Sequence, residues 1–127
     1  MTRILITGNM GYVGPVLVAH LRHMYPQATL IGFDSGLFSH CLATSGPQPE
    51  RLLDCQHFGD VRDFPGELLQ GVDAVVHLAG AGIADRRWTK THRAAILTSR
   101  EAGTSLLATT LAALNALTCS AKVIVSG

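Results

Sequence analysis

The stretch Ile4–Leu5–Ile6–Thr7–Gly8–Asn9–Met10–Gly11–Tyr12–Val13–Gly14 decides the fold. A short apolar run ends in three glycines spaced three apart, and an apolar-periodic segment follows at once. Val13, Val16, Leu17, Leu21 and Met24 are expected on one face of a helix running from about Gly11 to Tyr25. Strand, tight glycine turn and helix, in that order, suit the pyrophosphate of a dinucleotide. Gly8 permits the turn, Gly11 lets the backbone approach phosphate oxygens, and Gly14 lets the helix pack closely on the strand. The helix start adds unpaired N–H groups and a partial positive charge. The competing reading is a glycine corner that only closes a strand-to-helix connection. The strand before it and the helix after it favour binding.

Arg3–Thr7 is predicted as the first strand, β-branched and continuous, as in a strand buried on both faces. Pro15 falls in the first turn of the helix, where a missing N–H costs little, and Pro26 stops it. Thr29–Phe33 is the second strand, with Asp34 at its end. Asp34 lies twenty residues beyond Gly14, where this turn type places an acid on the adenosine ribose hydroxyls. A carboxylate there repels a 2′-phosphate, and Ser35 and Gly36 supply no cation to hold one, so NAD is expected in preference to NADP. The bland alternative is an aspartate that only starts a turn.

Ser35 to Asp54 is the least regular segment, with loop chemistry at Gly46–Pro47–Gln48–Pro49. The third strand is predicted at Gln56–Phe58. Asp60 and Val61 follow it, placed either to touch an adenine ring or to form a solvated turn. A short helix is expected over Phe64–Gln70, with Pro65 in its first turn and Gly71 after it. Val72–Leu78 is the fourth strand, and the small residues Ala79–Gly80–Ala81–Gly82 leave room for a cofactor above its end. From Thr89 to about Leu117 the pattern is helical, with Ile96, Leu97, Leu106, Leu107, Leu111 and Leu114 apolar. Gly103 there allows close packing or a bend. Lys122–Ser126 is the fifth strand. With right-handed crossovers, the order gives a doubly wound parallel α/β sheet arranged 3-2-1-4-5. A ligand belongs over the carboxyl ends of strands one and four, where the winding reverses.

The composition fits one such domain. The chain has 127 residues, 47% of them hydrophobic and 15% charged, which suits a well-buried globular core. A net charge of +1 with no basic block argues against binding nucleic acid. No apolar run approaches the ~18 residues of a membrane span. Met1–Thr2–Arg3 leads straight into a predicted strand, so no signal peptide is expected. The three cysteines, at 41, 55 and 119, form no CxxC pair and suit reduced thiols in a cytoplasmic protein. His40–Cys41 and Cys55–Gln56–His57 match no common zinc spacing and are expected to be buried thiols near surface histidines. His77 is expected to be buried and hydrogen-bonded, and His20, His23 and His92 to be solvated on helices. Arg86–Arg87–Trp88 fits either a phosphate or base contact or a solvated loop with one buried tryptophan.

Thr7–Gly8–Asn9–Met10–Gly11–Tyr12–Val13–Gly14, Gly59–Asp60–Val61 and His77–Leu78–Ala79–Gly80 resemble the extended short-chain dehydrogenase/reductases. These are the NAD-dependent epimerases and dehydratases of nucleotide sugars. The resemblance implies a Rossmann domain with Gly8, Gly11 and Gly14 at the pyrophosphate and Asp34 at the ribose. It puts Asp60 and Val61 at the adenine, and Ala79 and Gly80 where strand four meets the cofactor. Asn9, Met10, Tyr12, Val13 and Leu78 complete the implied cofactor-binding set. Beyond about residue 80, Ile83–Thr89 and Ser99–Thr104 resemble a second branch, small epimerase-like proteins of poorly defined substrate. There Arg100 stands where the epimerases carry an asparagine. A hybrid of two branches and a single divergent lineage both fit.

In that family the fifth strand leads to a Ser or Thr and then to Tyr-x-x-x-Lys. The sequence stops at Ser126–Gly127, before those positions. Tyr12 and Tyr25, its only tyrosines, have no lysine four residues on, so no catalytic residue is assigned and Ser126 is read as structural. The expected function is NAD binding without turnover by these residues alone. A nucleotide-sugar partner would require a further C-terminal part. The alternative is a ligand-free Rossmann scaffold that self-associates through an open sheet edge or its helices.

Overall fold

Five parallel strands form the sheet: β1 (Arg3–Thr7), β2 (Thr29–Asp34), β3 (Cys55–Phe58), β4 (Ala74–His77) and β5 (Lys122–Val125). Their order, β3-β2-β1-β4-β5, is the predicted one. The computed structural model describes residues 2–37, 49–80, 87–118 and 122–125. β1 lies between β2 and β4, with Ile6 opposite Gly32 and Val76, and Thr7 opposite Phe33 and His77. Four of its five residues are buried, as a strand covered on both faces requires.

Alternation along the strands supplies two cores. Ile4, Ile6, Leu30 and Val76 point to one face and pack with Val18 of α1 (Gly14–Met24) and Ala28. Leu5, Ile31, Phe33 and Val75 point to the other and pack with Leu107 and Leu111 of α2 (Lys90–Thr118). The result is three layers, one helix on each face of the sheet. Phe33 and Phe64 meet edge to face, with ring centroids 4.7 Å apart.

Three predicted elements differ. α1 begins at Gly14, not Gly11, and buries Gly14 and Val18, with Leu17 and Leu21 partly buried. Val13, Val16 and Met24 are exposed. At about 100° per residue, Val16 falls on the far side of the helix from both Gly14 and Val18. The expected helix over Phe64–Gln70 is one 3₁₀ turn, Gly66–Leu69, with a second, Val61–Asp63, ahead of it. Phe64 and Pro65 between them are extended, because a residue before proline is driven out of helical backbone. On α2, Leu107 and Leu111 are buried, but Leu97 and Leu106 are exposed. Strand bounds shift by a residue or two, with β3 starting at Cys55 and β4 running from Ala74 to His77.

Arg22 fastens the end of α1 to the sheet. Its guanidinium donates to the carbonyls of Pro26, Ala28 and Leu52 and to the Asp54 carboxylate, the last at 2.7 Å. Asp54 also accepts from the Leu30 amide at 2.8 Å. The Leu30 amide, and then Arg22, hold the Asp54 carboxyl below its ordinary value. Among the described residues, no helix is long and apolar enough to cross a membrane.

The expectations for His40–Cys41, Gly46–Gln48, Ala81–Gly82, Ile83–Arg86, Cys119 and Ser126–Gly127 fall outside the described residues.

Candidate functional site

The glycine turn sits at the carboxyl end of β1, between the ends of β2 and β4. Gly8 has φ of +73°, a conformation side chains rarely adopt. A Cβ there would also lie 2.5 Å from the Ala79 nitrogen. Its amide donates to the Phe33 carbonyl at 2.8 Å, and the Leu78 amide donates to the Thr7 carbonyl at 2.8 Å. Gly8, Leu78 and Ala79 therefore form one junction, with Gly80 the next residue. Gly14 is constrained by packing. A Cβ would fall 1.9 Å from the Asn9 carbonyl oxygen, so the helix start rests on the turn itself. Gly11 is different, because its nearest neighbour to an added Cβ is the Gly8 oxygen at 3.4 Å. A methyl over Gly11 would make only ordinary contact.

The start of α1 carries no side-chain cap and no acidic residue in its first turn. The amides of Tyr12, Val13 and Gly14 donate to no acceptor among the described residues. Tyr12 and Val13 are exposed. Unpaired amides at an uncapped helix start attract an anion.

Asp34 faces this turn. Its Oδ2 accepts from the Met10 amide at 2.9 Å, and its Oδ1 accepts from the Gly36 amide at 2.8 Å. Each oxygen keeps a lone pair for a ligand hydroxyl. Asp34 thus has a structural task, holding the turn.

Asn9 has a role the sequence did not reveal. It is fully buried, and its amide nitrogen donates to Gln56 Oε1 at 2.6 Å. The pair spans β2 above Gly32, where a Cβ would lie 2.4 Å from the same Gln56 oxygen. Gln56 in turn donates to the His57 carbonyl at 2.9 Å. β3 therefore braces the turn through a bare glycine on β2. The only sequence signal was a glycine inside a strand.

On the other side of β1, Thr7 Oγ1 lies 2.6 Å from His77 Nδ1, and both residues are buried. His77 is hydrogen-bonded and buried as predicted, but its Nε2 has no partner. That nitrogen faces Gly103 of α2, 2.8 Å from where a Cβ would stand. Burial, and then the charge on Arg100, push the His77 imidazole below its ordinary value. A neutral ring with one committed nitrogen suits a structural residue better than a base.

Asp60 and Val61 follow Gly59, whose amide donates to the Asp34 carbonyl at 3.0 Å. The pair is thereby tied to the same end of the sheet. The Asp60 carboxylate caps the Val61–Asp63 turn by accepting from the Arg62 amide at 2.8 Å, and it pairs with the Arg62 guanidinium. Those contacts hold its carboxyl down at about 2. Val61 is half-buried against the α2-side core.

Several side residues differ from expectation. Cys55 is exposed, not buried, with its Sγ 3.2 Å from His57 Nε2. The outward side of an edge strand explains its exposure. Among the described residues no cluster could hold a metal ion. His92 has a buried, unpartnered Nε2, whereas a solvated ring was predicted. Trp88 is exposed and lies under Arg93, 5.7 Å from the guanidinium carbon.

Comparison with known proteins agrees with this geometry. The family model described as the NAD dependent epimerase/dehydratase family matches residues 4–126. No curated protein matches the chain. Among solved structures, a short-chain dehydrogenase/reductase superfamily protein from Agrobacterium tumefaciens with bound NAD is 25% identical, with a TM-score of 0.62. The match covers 97% of this chain and 31% of that one. UDP-glucose 4-epimerase from Brucella ovis in complex with NAD is 21% identical, with a TM-score of 0.69, over 100% of this chain and 36% of that one. L-threonine dehydrogenase from Clostridium difficile is 21% identical, with a TM-score of 0.68, over 98% and 36%. The last two likenesses concern the fold alone. The chain spans about a third of the length of these structures.

Proposed function

Because the chain belongs to the NAD-dependent epimerase/dehydratase family, we propose that its glycine turn, Asp34 and the β4 end form a cradle for NAD. One observation carries the reading. The Asp34 carboxylate is held on the Met10 amide, beside a helix start whose amides are unpaired. A carboxylate poised for ribose hydroxyls and free amides poised for phosphate are the two ends that an adenosine diphosphate needs. The lack of any side chain at Gly11 fits a pyrophosphate crossing the backbone there. Gly8, Asn9, Met10, Gly11, Tyr12, Val13 and Gly14 serve the pyrophosphate side. Asp60 and Val61 flank the adenine, and Leu78, Ala79 and Gly80 underlie the second nucleotide. NAD bound to several of the solved structures supports the same choice.

The 127 residues contain no Tyr-x-x-x-Lys pair, and the proposed role is binding and orientation, not proton or hydride transfer. Turnover of a nucleotide sugar would rest on groups outside this sequence. The test is calorimetric titration with NAD and NADP. Saturable NAD binding is expected, with NADP weaker by about tenfold because Asp34 opposes a 2′-phosphate. No binding up to about millimolar NAD, a weak affinity by any standard, would overturn the reading.

A further inference from the structure

Beyond Asp34 and the turn, the β4 side of the crevice carries a charged group that the dinucleotide reading leaves unused. Arg100 is half-buried on α2, on the stripe that continues through Gly103 and Leu107 into the core. Its side chain lies along Gly80. A Cβ at Gly80 would be 3.0 Å from Arg100 Cγ, 3.4 Å from Cζ and 3.5 Å from Nε. Gly80 follows Ala79, the residue that abuts Gly8, so Arg100 lies along the segment that leads away from the glycine turn.

No hydrogen bond or ion pair holds this guanidinium among the described residues, where Arg22 pairs with Asp54 and Arg62 with Asp60. Glu101, next along the helix, is exposed and pairs with nothing among them. One turn along the same stripe, at Gly103, the buried His77 of β4 turns an unpartnered Nε2 toward the helix. His77 resists protonation there, being buried and close to Arg100. Among the described residues Arg100 is thus a cation of this corner, and its guanidinium carries five donors and no acceptor group of its own. Withdrawing a guanidinium partly from water is unfavourable unless an acceptor meets it, and its planar fork fits phosphate and carboxylate oxygens.

We propose that Arg100 seats an anionic oxygen group, a phosphate or a carboxylate, brought over the carboxyl end of β4. Ligands of such sheets bind where the winding reverses, between β1 and β4, and that is where Gly80 and Arg100 meet. Two sources supply this chemistry: the pyrophosphate of the dinucleotide, or a second anionic molecule bound beside it. The first source rests on the NAD reading, and the second does not.

The experiment is calorimetric titration of the parent, Arg100→Met and Arg100→Lys with three probes. These are NAD, adenosine, and inorganic pyrophosphate added to the protein with and without saturating NAD. If the dinucleotide supplies the anion, Arg100→Met weakens NAD by about tenfold to a hundredfold, leaves adenosine unchanged, and Arg100→Lys restores part of the loss. If a second molecule supplies it, NAD binding is unchanged and pyrophosphate binding to the NAD-loaded protein is lost in Arg100→Met. Parent-like binding of both NAD and pyrophosphate by Arg100→Met overturns the proposal. A parent that binds no NAD overturns the cofactor reading alone. Pyrophosphate binding to the free protein then decides Arg100, and its absence or its independence of Arg100 overturns the proposal. Should Arg100→Met fold poorly, Arg100→Gln keeps the stem along Gly80 and carries the same comparisons.

Discussion

At the scale of single residues, two neighbouring glycines separate folding from binding. Gly8 combines a positive φ with a Cβ position inside Ala79. Gly8→Ala should destabilise the fold by about 3 kcal/mol or more, read by chemical denaturation. A Cβ at Gly11 would make only ordinary contact with the fold, so Gly11→Ala should unfold near the parent midpoint yet bind NAD at least about tenfold more weakly, because on the proposed placement the methyl stands in the way of the pyrophosphate. Parent-like NAD affinity in Gly11→Ala would falsify the pyrophosphate placement. His77 offers a pH test. Its folded pKa is lowered, so the unfolded chain binds the extra proton as pH falls below about 6.5. Stability should therefore rise with pH up to about 6.5 and then level off, with a slope of at most about 1.4 kcal/mol per pH unit. His77→Gln should flatten that slope in urea titrations across the window.

At the scale of elements, what was legible in the sequence was local, and what was missed was long-range. The β1 strand, the glycine turn and Asp34 were legible because sterics and spacing over a few residues determine them. The buried face of α1 was misread because valine and leucine stand on several sides of it, and only the sheet selects Val18 over Val16. Arg100 stood out as a departure from the family pattern, but its place along Gly80 depends on how α2 packs against the end of β4. The Asn9–Gln56 brace joins residues 47 apart and leaves no periodic trace. Gln56→Leu removes the acceptor for a buried amide and should cost about 1–3 kcal/mol, measured by urea denaturation. It should also weaken NAD binding beyond what the loss of folded protein explains, because the turn loses its support. Arg22 is the other long-range fastening. Arg22→Ala strands several carbonyls and should cost about 2 kcal/mol by the same measurement. The Asp54 pKa is lowered in the folded state, so its contribution is present above the ordinary value of 3.8 and is lost as pH falls through the depressed one. Acid unfolding of Arg22→Ala should therefore begin at higher pH than that of the parent.

At the scale of the whole molecule, cofactor and scaffold readings differ in what NAD does to the folded state. A ligand that binds only the native form stabilises it by mass action, by about 2.7 kcal/mol at a hundred times Kd. For a domain of this size that shift raises Tm by roughly 10 °C. NADP at the same concentration should raise it less, since on the proposed placement the Asp34 carboxylate opposes a 2′-phosphate. A scaffold that never meets a dinucleotide shows no such shift, and its assembly is indifferent to NAD. Mass in solution adds the second axis. Among the described residues the sheet ends in β3 on one side and β5 on the other, and a strand edge with no neighbour favours pairing with another chain. Exposed Leu97 and Leu106 on α2, and Val16 and Met24 on α1, add apolar surface. Light scattering over a concentration series should therefore detect self-association. A monomer throughout the series would remove that expectation while leaving the NAD shift to be judged by itself. Association without any Tm response to NAD would favour the scaffold, because the same turn would then be closing a corner and binding nothing.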